Sequence, residues 1–186
     1  MNLVLASKSP RRSEILKNAG FDFTVRVADA DETVPDGTNP EDAVTIIATR
    51  KAMAVERAEN ETVIGADTVV VLDGKILGKP KDREDAFNMI KSLSGRVHSV
   101  FTGVCIVSDG KSLTFAEKTS VEFLHLSDEE INAYINTDEP YDKAGAYGIQ
   151  GLASKFVKGI NGDYFNVVGL PISAIYEKFF INQQKL

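Results

Sequence analysis

The sequence has one cysteine, no tryptophan and only two histidines. Cys105 lies in the apolar run 104–107, so we interpret it as a buried thiol. A lone cysteine cannot form an intrachain disulfide or a cysteine metal site. His98 and His125 lie far apart in strand-like runs and are predicted to be structural or exposed. These scarcities exclude a disulfide framework and a zinc site with the usual ligand spacing.

Long apolar runs and a surplus of basic charge are also missing. No run approaches the ~20 residues of a transmembrane helix, and the N-terminal region lacks the basic and apolar parts of a signal peptide. We therefore expect a cytoplasmic protein without a membrane partner. The formal net charge of −6 argues against nucleic acid as a partner, because nucleic acid binding needs a basic face. A small phosphorylated ligand needs only a local cluster of cations.

The pattern of elements predicts the fold class. The 186 residues, 43% of them hydrophobic, suffice for one domain with a substantial core, spanning 1–186. Strands and helices alternate at first, and hairpins are added later. The predicted strands are 3–5, 21–27, 62–72, 75–77, 97–107, 113–124, 156–160 and 163–168, and the predicted helices are 10–18, 40–55, 83–93, 128–135 and one from 172 onward. This mixture predicts an α/β fold around a mixed sheet.

The turn after the first strand is predicted to bind an anion. Ser9 stands at the N-cap position of a helix and Pro10 at its first position. Arg11 and Arg12 would then lie in the first turn, where the helix dipole disfavours cations unless an anion compensates them. A solvated basic turn is the alternative interpretation.

Asp67 is the most unusual acid, because it interrupts a β-branched strand just after Gly65. A lone acid in such a strand usually marks a bulge or a functional site. Other cations and acids recur outside the helix faces; they are Lys8, Arg11, Arg12, Lys79, Lys81 and Lys143, and Asp31, Glu32, Asp82 and Asp142. Lys51 is a further cation near a helix interior. Arg and Lys bind phosphate oxygens, and carboxylates hold Mg²⁺. The set suits a phosphate site with a divalent metal. The alternative is that most of these residues form exposed ion pairs, which contribute little to stability.

Five stretches, in order along nearly the whole chain, carry a family resemblance. They are LASKSPRR at 5–12, GADTVV at 65–70, GKP at 78–80, LSG at 93–95 and KAGAYGIQG at 143–151. Together they resemble the Maf family of nucleoside triphosphate pyrophosphatases, once described as septum-formation inhibitors. The double arginine, Thr68 and Gln150 resemble the dTTP/UTP branch of that family rather than the 7-methyl-GTP branch.

The resemblance implies a fold similar to that of the inosine triphosphate pyrophosphatases: an elongated mixed β-sheet with flanking helices, forming two lobes around a cleft. It implies hydrolysis of dTTP and UTP to the monophosphate and pyrophosphate, with Mg²⁺ or Mn²⁺ as cofactor. A homodimer is a family-level expectation. Asp67 is implied as the proton acceptor, with Glu32 and Lys79 as further catalytic groups and with Glu32 and Asp67 as metal ligands. The implied substrate-binding residues are Ser7, Ser9, Arg11, Arg12, Lys51, Thr68, Asp82, Lys143 and Gln150.

Several alternatives stay open at the level of sequence. Either carboxylate, Glu32 or Asp67, can be the base while the other holds metal. Either Arg11 or Arg12 can contribute to substrate choice. The substrate can be a modified nucleotide such as 7-methyl-GTP, and a non-catalytic nucleotide-binding regulator would use the same basic turn.

Overall fold

A computed structural model describes residues 2–181, and within them a seven-stranded sheet is flanked by helices. The strands are β1 (Asn2–Leu5), β2 (Phe23–Val25), β3 (Glu61–Leu72), β4 (Lys75–Leu77), β5 (Val97–Ser108), β6 (Lys111–Phe123) and β7 (Val157–Asn161). The helices are α1 (Pro10–Asn18), α2 (Pro40–Ala54), α3 (Arg83–Leu93), α4 (Asp128–Ile135), α5 (Tyr164–Val168) and α6 (Ile172–Ile175), which continues as a wider π-helical segment, Tyr176–Ile181.

The strand order is β2-β1-β3-β5-β6-β7, and β4 pairs with β3 outside this path. Strand β1 is parallel to β2 and β3, whereas β4 and β7 pair antiparallel with their neighbours. The predicted α/β class with a mixed sheet is therefore confirmed. Within residues 2–181, no helix has the length and apolar character needed to span a bilayer.

The chain divides into two compact units. The first unit comprises the described residues up to Thr68, together with Thr102–Glu117 and the described residues from Gly169 onward. The second unit comprises Val69–Phe101 and Lys118–Val168. The prediction of a single functional domain over 1–186 stays a prediction.

In the first unit, α2 packs on the sheet through two glycines. A Cβ at Gly65 would lie 2.4 Å from the carbonyl oxygen of Ala48, and one at Gly103 would lie 2.3 Å from that of Val44. Because no side chain separates them, the helix backbone approaches β3 and β5 directly. Cys105 is fully buried in this core, as the sequence predicts.

In the second unit, aromatic rings form the centre of the core. Phe123 makes edge contacts with Tyr147 and Phe156, with ring centroids 4.8 and 6.3 Å apart. Tyr134 on α4 also meets the edge of Phe156. His98 is buried among these rings, and its Nε2 lies 2.7 Å from the Tyr147 hydroxyl. It has a structural place, as the sequence predicts.

Local capping and turn chemistry fix the element boundaries. The side chain of Asn39 accepts a hydrogen bond from the backbone N–H of Asp42 at the start of α2, and Ser127 forms a complete capping box at α4. The hairpin between β3 and β4 has positive φ at both Asp73 (50°) and Gly74 (76°), as a type I′ turn requires. These predictions are confirmed.

The predicted hairpin around 161–162 is wrong. Residues 163–168 form the end of a loop and helix α5 rather than a strand. The backbone N–H of Asp163 donates to Thr119 Oγ1 on β6, and its carbonyl accepts from the same hydroxyl, at 3.1 and 3.0 Å. The Asp163 carboxylate then accepts from the N–H of Phe165, which starts a helical turn. A side-chain hydroxyl on another strand therefore outweighs the local turn preference.

The predicted second strand, 21–27, is confirmed but is shorter, Phe23–Val25.

Candidate active site

In the first unit, the loop after β1 leads into α1, whose residue Arg12 donates hydrogen bonds to three other residues of the protein. Arg12 donates from Nε to the carbonyl of Gly169 (2.7 Å), from Nη1 to Ser7 Oγ (3.1 Å) and from Nη2 to Thr68 Oγ1 (3.0 Å). Burial lowers the pKa of Arg12, and the negative charge of Asp67 opposes this effect. The guanidinium stays charged all the same, because the ordinary pKa of arginine lies far above physiological pH. Arg12 thus ties three chain segments together.

The start of α1 matches its prediction in position but not in bonding. Ser9 is the N-cap residue and Pro10 opens the helix, yet the Ser9 side chain makes no cap hydrogen bond. The Ser9 N–H donates instead to Ser7 Oγ at 3.2 Å. Arg11 follows on the first turn and is half-buried. No acid lies in that first turn, so no carboxylate of the turn compensates the positive end of the helix. Binding of an external anion there stays a prediction.

Two carboxylates converge on one ammonium group in the first unit. Lys51, on α2, places its Nζ 2.7 Å from Asp67 Oδ1 and 3.0 Å from Glu32 Oε1. The side chain of Asp67 is only 14% exposed, whereas that of Glu32 is 62% exposed. The acid on the strand is therefore the more sheltered of the two, and the acid on the loop faces solvent.

Arg50, the neighbour of Lys51 on α2, fixes the loop that carries Glu32. Its Nη1 donates to the carbonyl of Asp31 at 3.2 Å and to the carbonyl of Thr33, on either side of Glu32. Asp31 adds a local turn by accepting from the N–H of Thr33 at 2.9 Å. The position of Glu32 is thus set by backbone contacts as well as by its own ion pair.

The pair of carboxylates suits a divalent cation that is shared with a phosphate ligand. Within the described residues, no group of three or more His, Cys, Asp or Glu side chains could hold a metal alone. Mg²⁺ usually takes one or two protein carboxylates and completes its shell with phosphate oxygens and water. Glu32 and Asp67 already meet at one cation, Lys51, so this donor set fits such an ion.

Four predicted site residues lie in the second unit. Lys79 follows β4 and is exposed, and Asp82 caps α3 by accepting from the N–H of Asp85 at 2.9 Å. Lys143 Nζ donates to the carbonyl of Glu139 at 2.8 Å and to Asp142 at 2.6 Å. Gln150 is exposed on a turn. Their roles toward a substrate stay predictions, as do those of the residues in the first unit; Asp82 also has a clear structural role.

Sequence reasoning missed one contact of Thr68 and one of Arg12. Thr102 on β5 is fully buried and places its Oγ1 2.9 Å from that of Thr68. The carbonyl of Gly169 completes the bonds of Arg12. A hydroxyl in an otherwise apolar strand was the available signal for Thr102, whereas a backbone carbonyl leaves no signal in the sequence.

Comparison with known proteins gives consistent matches over nearly the full length. A family model described as Maf-like protein matches residues 2–179. A protein of Bacillus cytotoxicus named dTTP/UTP pyrophosphatase is 50% identical over 173 residues, covering 92% of this chain and 91% of that protein. A protein of the same name from Thermoanaerobacter pseudethanolicus is 51% identical over 181 residues, covering 95% and 94%. Among solved structures, the Ham1 protein of Staphylococcus aureus aligns with 66% of this chain and 72% of its own at 21% identity and a TM-score of 0.46. The resemblance read from the five motifs is confirmed, and the chain belongs to the Maf-like protein family.

Proposed function

We propose that this protein is a nucleoside triphosphate pyrophosphatase that hydrolyses dTTP and UTP to the monophosphate and pyrophosphate. The observation that carries the proposal is the sheltered carboxylate of Asp67, paired with Lys51 and joined through it to Glu32. Relatives that are half identical over nine-tenths of the chain and carry the name dTTP/UTP pyrophosphatase support the choice of substrate.

The predicted site residues of the first unit then have the following chemical roles. Asp67 accepts a proton from water as the water oxygen bonds to the α phosphorus. The bond between that phosphorus and the bridging oxygen breaks, and pyrophosphate leaves. Arg11 and Lys51 neutralise negative charge on the phosphates, as does the N-terminus of α1. Ser7 and Ser9 offer hydroxyl groups to phosphate oxygens.

A divalent cation, Mg²⁺ or Mn²⁺, would be held by Glu32 and Asp67. It would supply positive charge that neutralises the triphosphate and lowers the pKa of water bound to it. Because Lys51 already contacts both carboxylates, this lysine holds them close to the same point.

Selection of the base is assigned to Thr68 and Gln150. A pyrimidine edge carries carbonyl and N–H groups that a hydroxyl or an amide can pair, and a base that leaves them unpaired is rejected. By family resemblance, Lys79 is a further catalytic group, and Asp82 and Lys143 complete the substrate-binding set. A cytoplasmic location and a homodimer are further proposals, and light scattering on the purified protein tests the second.

The experiment that tests the function is a substrate panel with separated products. The protein is incubated with Mg²⁺ and dTTP, UTP, CTP, GTP or 7-methyl-GTP, and products are resolved by ion exchange. We expect monophosphate and pyrophosphate from dTTP and UTP. Release of orthophosphate and a nucleoside diphosphate would refute the proposed bond cleavage. Saturable binding without turnover would instead indicate the non-catalytic regulator, and preference for 7-methyl-GTP would indicate the other branch.

A further inference from the structure

Glu139 is a half-buried carboxylate in the second unit that binds the backbone just after Gln150. It accepts hydrogen bonds from the N–H of Leu152 at 2.7 Å and from the N–H of Ala153 at 3.2 Å. The hydroxyl of Tyr134 lies 3.1 Å from the same carboxylate. Bonds to a charged acceptor are stronger than neutral ones, so the chain is firmly held two and three positions beyond Gln150.

Tyr134 extends this attachment to the other side of Gln150. Its hydroxyl also lies 3.2 Å from the carbonyl of Ala146, so its one proton is shared between that carbonyl and Glu139. Burial raises the pKa of Tyr134, and the nearby charge of Glu139 raises it further. The hydroxyl therefore remains a donor at physiological pH. The segment between Ala146 and Leu152, which carries Gln150, is thus fixed at both ends.

Gly151 shows how closely the Glu139 carboxylate approaches the backbone. A Cβ there would lie 2.2 Å from Glu139 Oε2 and 2.5 Å from Oε1. The φ of Gly151 is −102°, which any residue can adopt. A Cβ at this position would therefore displace the Glu139 carboxylate from its bonds to the backbone, without straining the backbone of residue 151 itself.

We propose that Glu139 is a positioning residue for base selection, because it fixes the turn on which Gln150 presents its exposed side chain. The inference rests on the proposed function, in which Gln150 pairs with the pyrimidine edge. An amide on an anchored turn offers its donor and acceptor in one arrangement, whereas an amide on a loose turn can rotate to suit other bases. Glu139 itself does not touch substrate.

The test compares kcat/KM for UTP with kcat/KM for CTP on the same preparation. This ratio is independent of the folded fraction, so a merely structural loss does not change it. We expect Gln150→Ala to lower the ratio about tenfold, which is the contribution of one hydrogen bond. Glu139→Ala should lower it to a similar extent, Glu139→Gln by less, and the double variant Glu139→Ala/Gln150→Ala no further than either single change.

Gly151→Ala is an independent route to the same result. It leaves the carboxylate in the protein but displaces it, so the ratio should fall as in Glu139→Ala. In a Glu139→Ala background, where the obstacle is gone, Gly151→Ala should cause no additional fall. Gly159→Ala is the matched control, because a Cβ at Gly159 meets no atom within 4 Å. Glu130→Ala removes an acid from the capping box of α4 and should lower the melting temperature without changing the ratio.

The outcomes separate the inference from the function on which it rests. If the unmodified protein does not hydrolyse UTP, both fail. If it does, and either Glu139→Ala or Gly151→Ala leaves the UTP to CTP ratio unchanged, the inference alone is wrong. An unchanged ratio in Gln150→Ala, or a fall in the double variant equal to the product of the two single effects, contradicts it as well.

Discussion

At the scale of single residues, Asp67 is the group on which the proposed chemistry depends. Asp67→Asn keeps the shape of the side chain but removes the proton acceptor. It also removes the negative charge that pairs with Lys51. We expect kcat with dTTP to fall by roughly 10²–10⁴, the usual cost of losing a general base. Steady-state kinetics with Mg²⁺ measure the loss.

Asp109→Asn is the control for this change. Asp109 lies at a hairpin tip of the same unit with φ of 47°, which asparagine tolerates. Turnover within about twofold of the unmodified protein is expected for this variant. If Asp67→Asn is equally active, the assignment of Asp67 as proton acceptor is wrong.

Arg12 illustrates what a local sequence pattern can and cannot reveal. The Ser-Pro-Arg-Arg turn predicts a helix start with cations near an anion site, and the helix start is confirmed. The pattern does not reveal that the guanidinium is bound to Ser7, Thr68 and the Gly169 carbonyl, because two of these partners belong to distant segments. A direct bond from Arg12 to substrate stays a prediction.

Arg12→Lys tests the structural part of that role. Lysine keeps the positive charge but cannot reproduce a planar fork with three separate acceptors. We expect the free energy of unfolding to fall by about 1–3 kcal/mol, since at least one buried acceptor is left unpaired. Urea denaturation followed by circular dichroism measures it. Arg57→Lys, which alters a single bond to the carbonyl of Glu61, should change the value by less than about 0.5 kcal/mol; equal effects of the two changes would contradict the argument.

At the scale of elements, the direct packing of α2 on the sheet makes Gly65 sensitive to substitution. A Cβ would lie 2.4 Å from the Ala48 carbonyl and 2.7 Å from the Ala52 nitrogen, both backbone atoms that cannot rotate away. Gly65→Ala should lower the free energy of unfolding by about 1–3 kcal/mol or more. It should also weaken catalysis, because α2 carries Lys51 and β3 carries Asp67.

The comparison for this variant is again Gly159→Ala, which adds the same methyl group where no atom lies within 4 Å. Both are measured by urea denaturation with the same probe. A Gly65→Ala protein as stable as the unmodified one would show that α2 can move away from β3 without cost. The close packing would then not contribute to the free energy of unfolding.

Elements whose ends are set by neighbouring residues were predictable, and those set by distant ones were not. The starts of α2, α3 and α4 follow from Asn39, Asp82 and Ser127, each of which caps its own helix. The segment 163–168 was predicted as a strand because Asn161 and Gly162 favour a hairpin. The bonds from Asp163 to Thr119 overrule that preference, and nothing near Asp163 in the sequence indicates them.

At the scale of the whole molecule, the buried His98 couples folding to pH. Burial lowers the pKa of His98 to about 4, whereas the unfolded chain has a value near 6.5. The unfolded state therefore binds the proton more readily, and the stability that neutral His98 contributes is present above pH 6.5 and is lost as the pH falls toward 4. By this linkage the free energy of unfolding should drop by about 2 kcal/mol between pH 8 and pH 5.

Denaturation across pH in His98→Gln isolates this contribution. Carboxylates also titrate at the acid end, so the quantity to compare is the slope between pH 7 and pH 5. The slope should decrease markedly in His98→Gln. His125→Gln, which removes an exposed ring, is the comparison variant. Identical slopes in all three proteins would show that His98 is accessible to protons in the folded state.

The family resemblance implies two lobes, but sequence reasoning does not reach which residues make up each of the two units. Composition and length favour one domain, and neither shows that the first unit draws on three separate stretches of chain. The α/β class followed from the periodicity of individual elements, whereas the grouping depends on contacts between residues far apart in sequence. The candidate site was found chiefly through motifs that match a family, with Asp67 as the one residue conspicuous on its own.

The bond between Arg12 Nε and the Gly169 carbonyl also has a consequence for how the protein is made. The two residues are 157 positions apart. At a synthesis rate of ~5–20 residues per second, the ribosome adds Gly169 roughly 8–30 s after Arg12. A nascent chain can form β1 and α1 during that interval, but its arginine lacks one of its three acceptors. The basic turn therefore acquires its final geometry late in translation, and a chain whose synthesis stops before Gly169 would carry the anion-binding motif without the contact that fixes it.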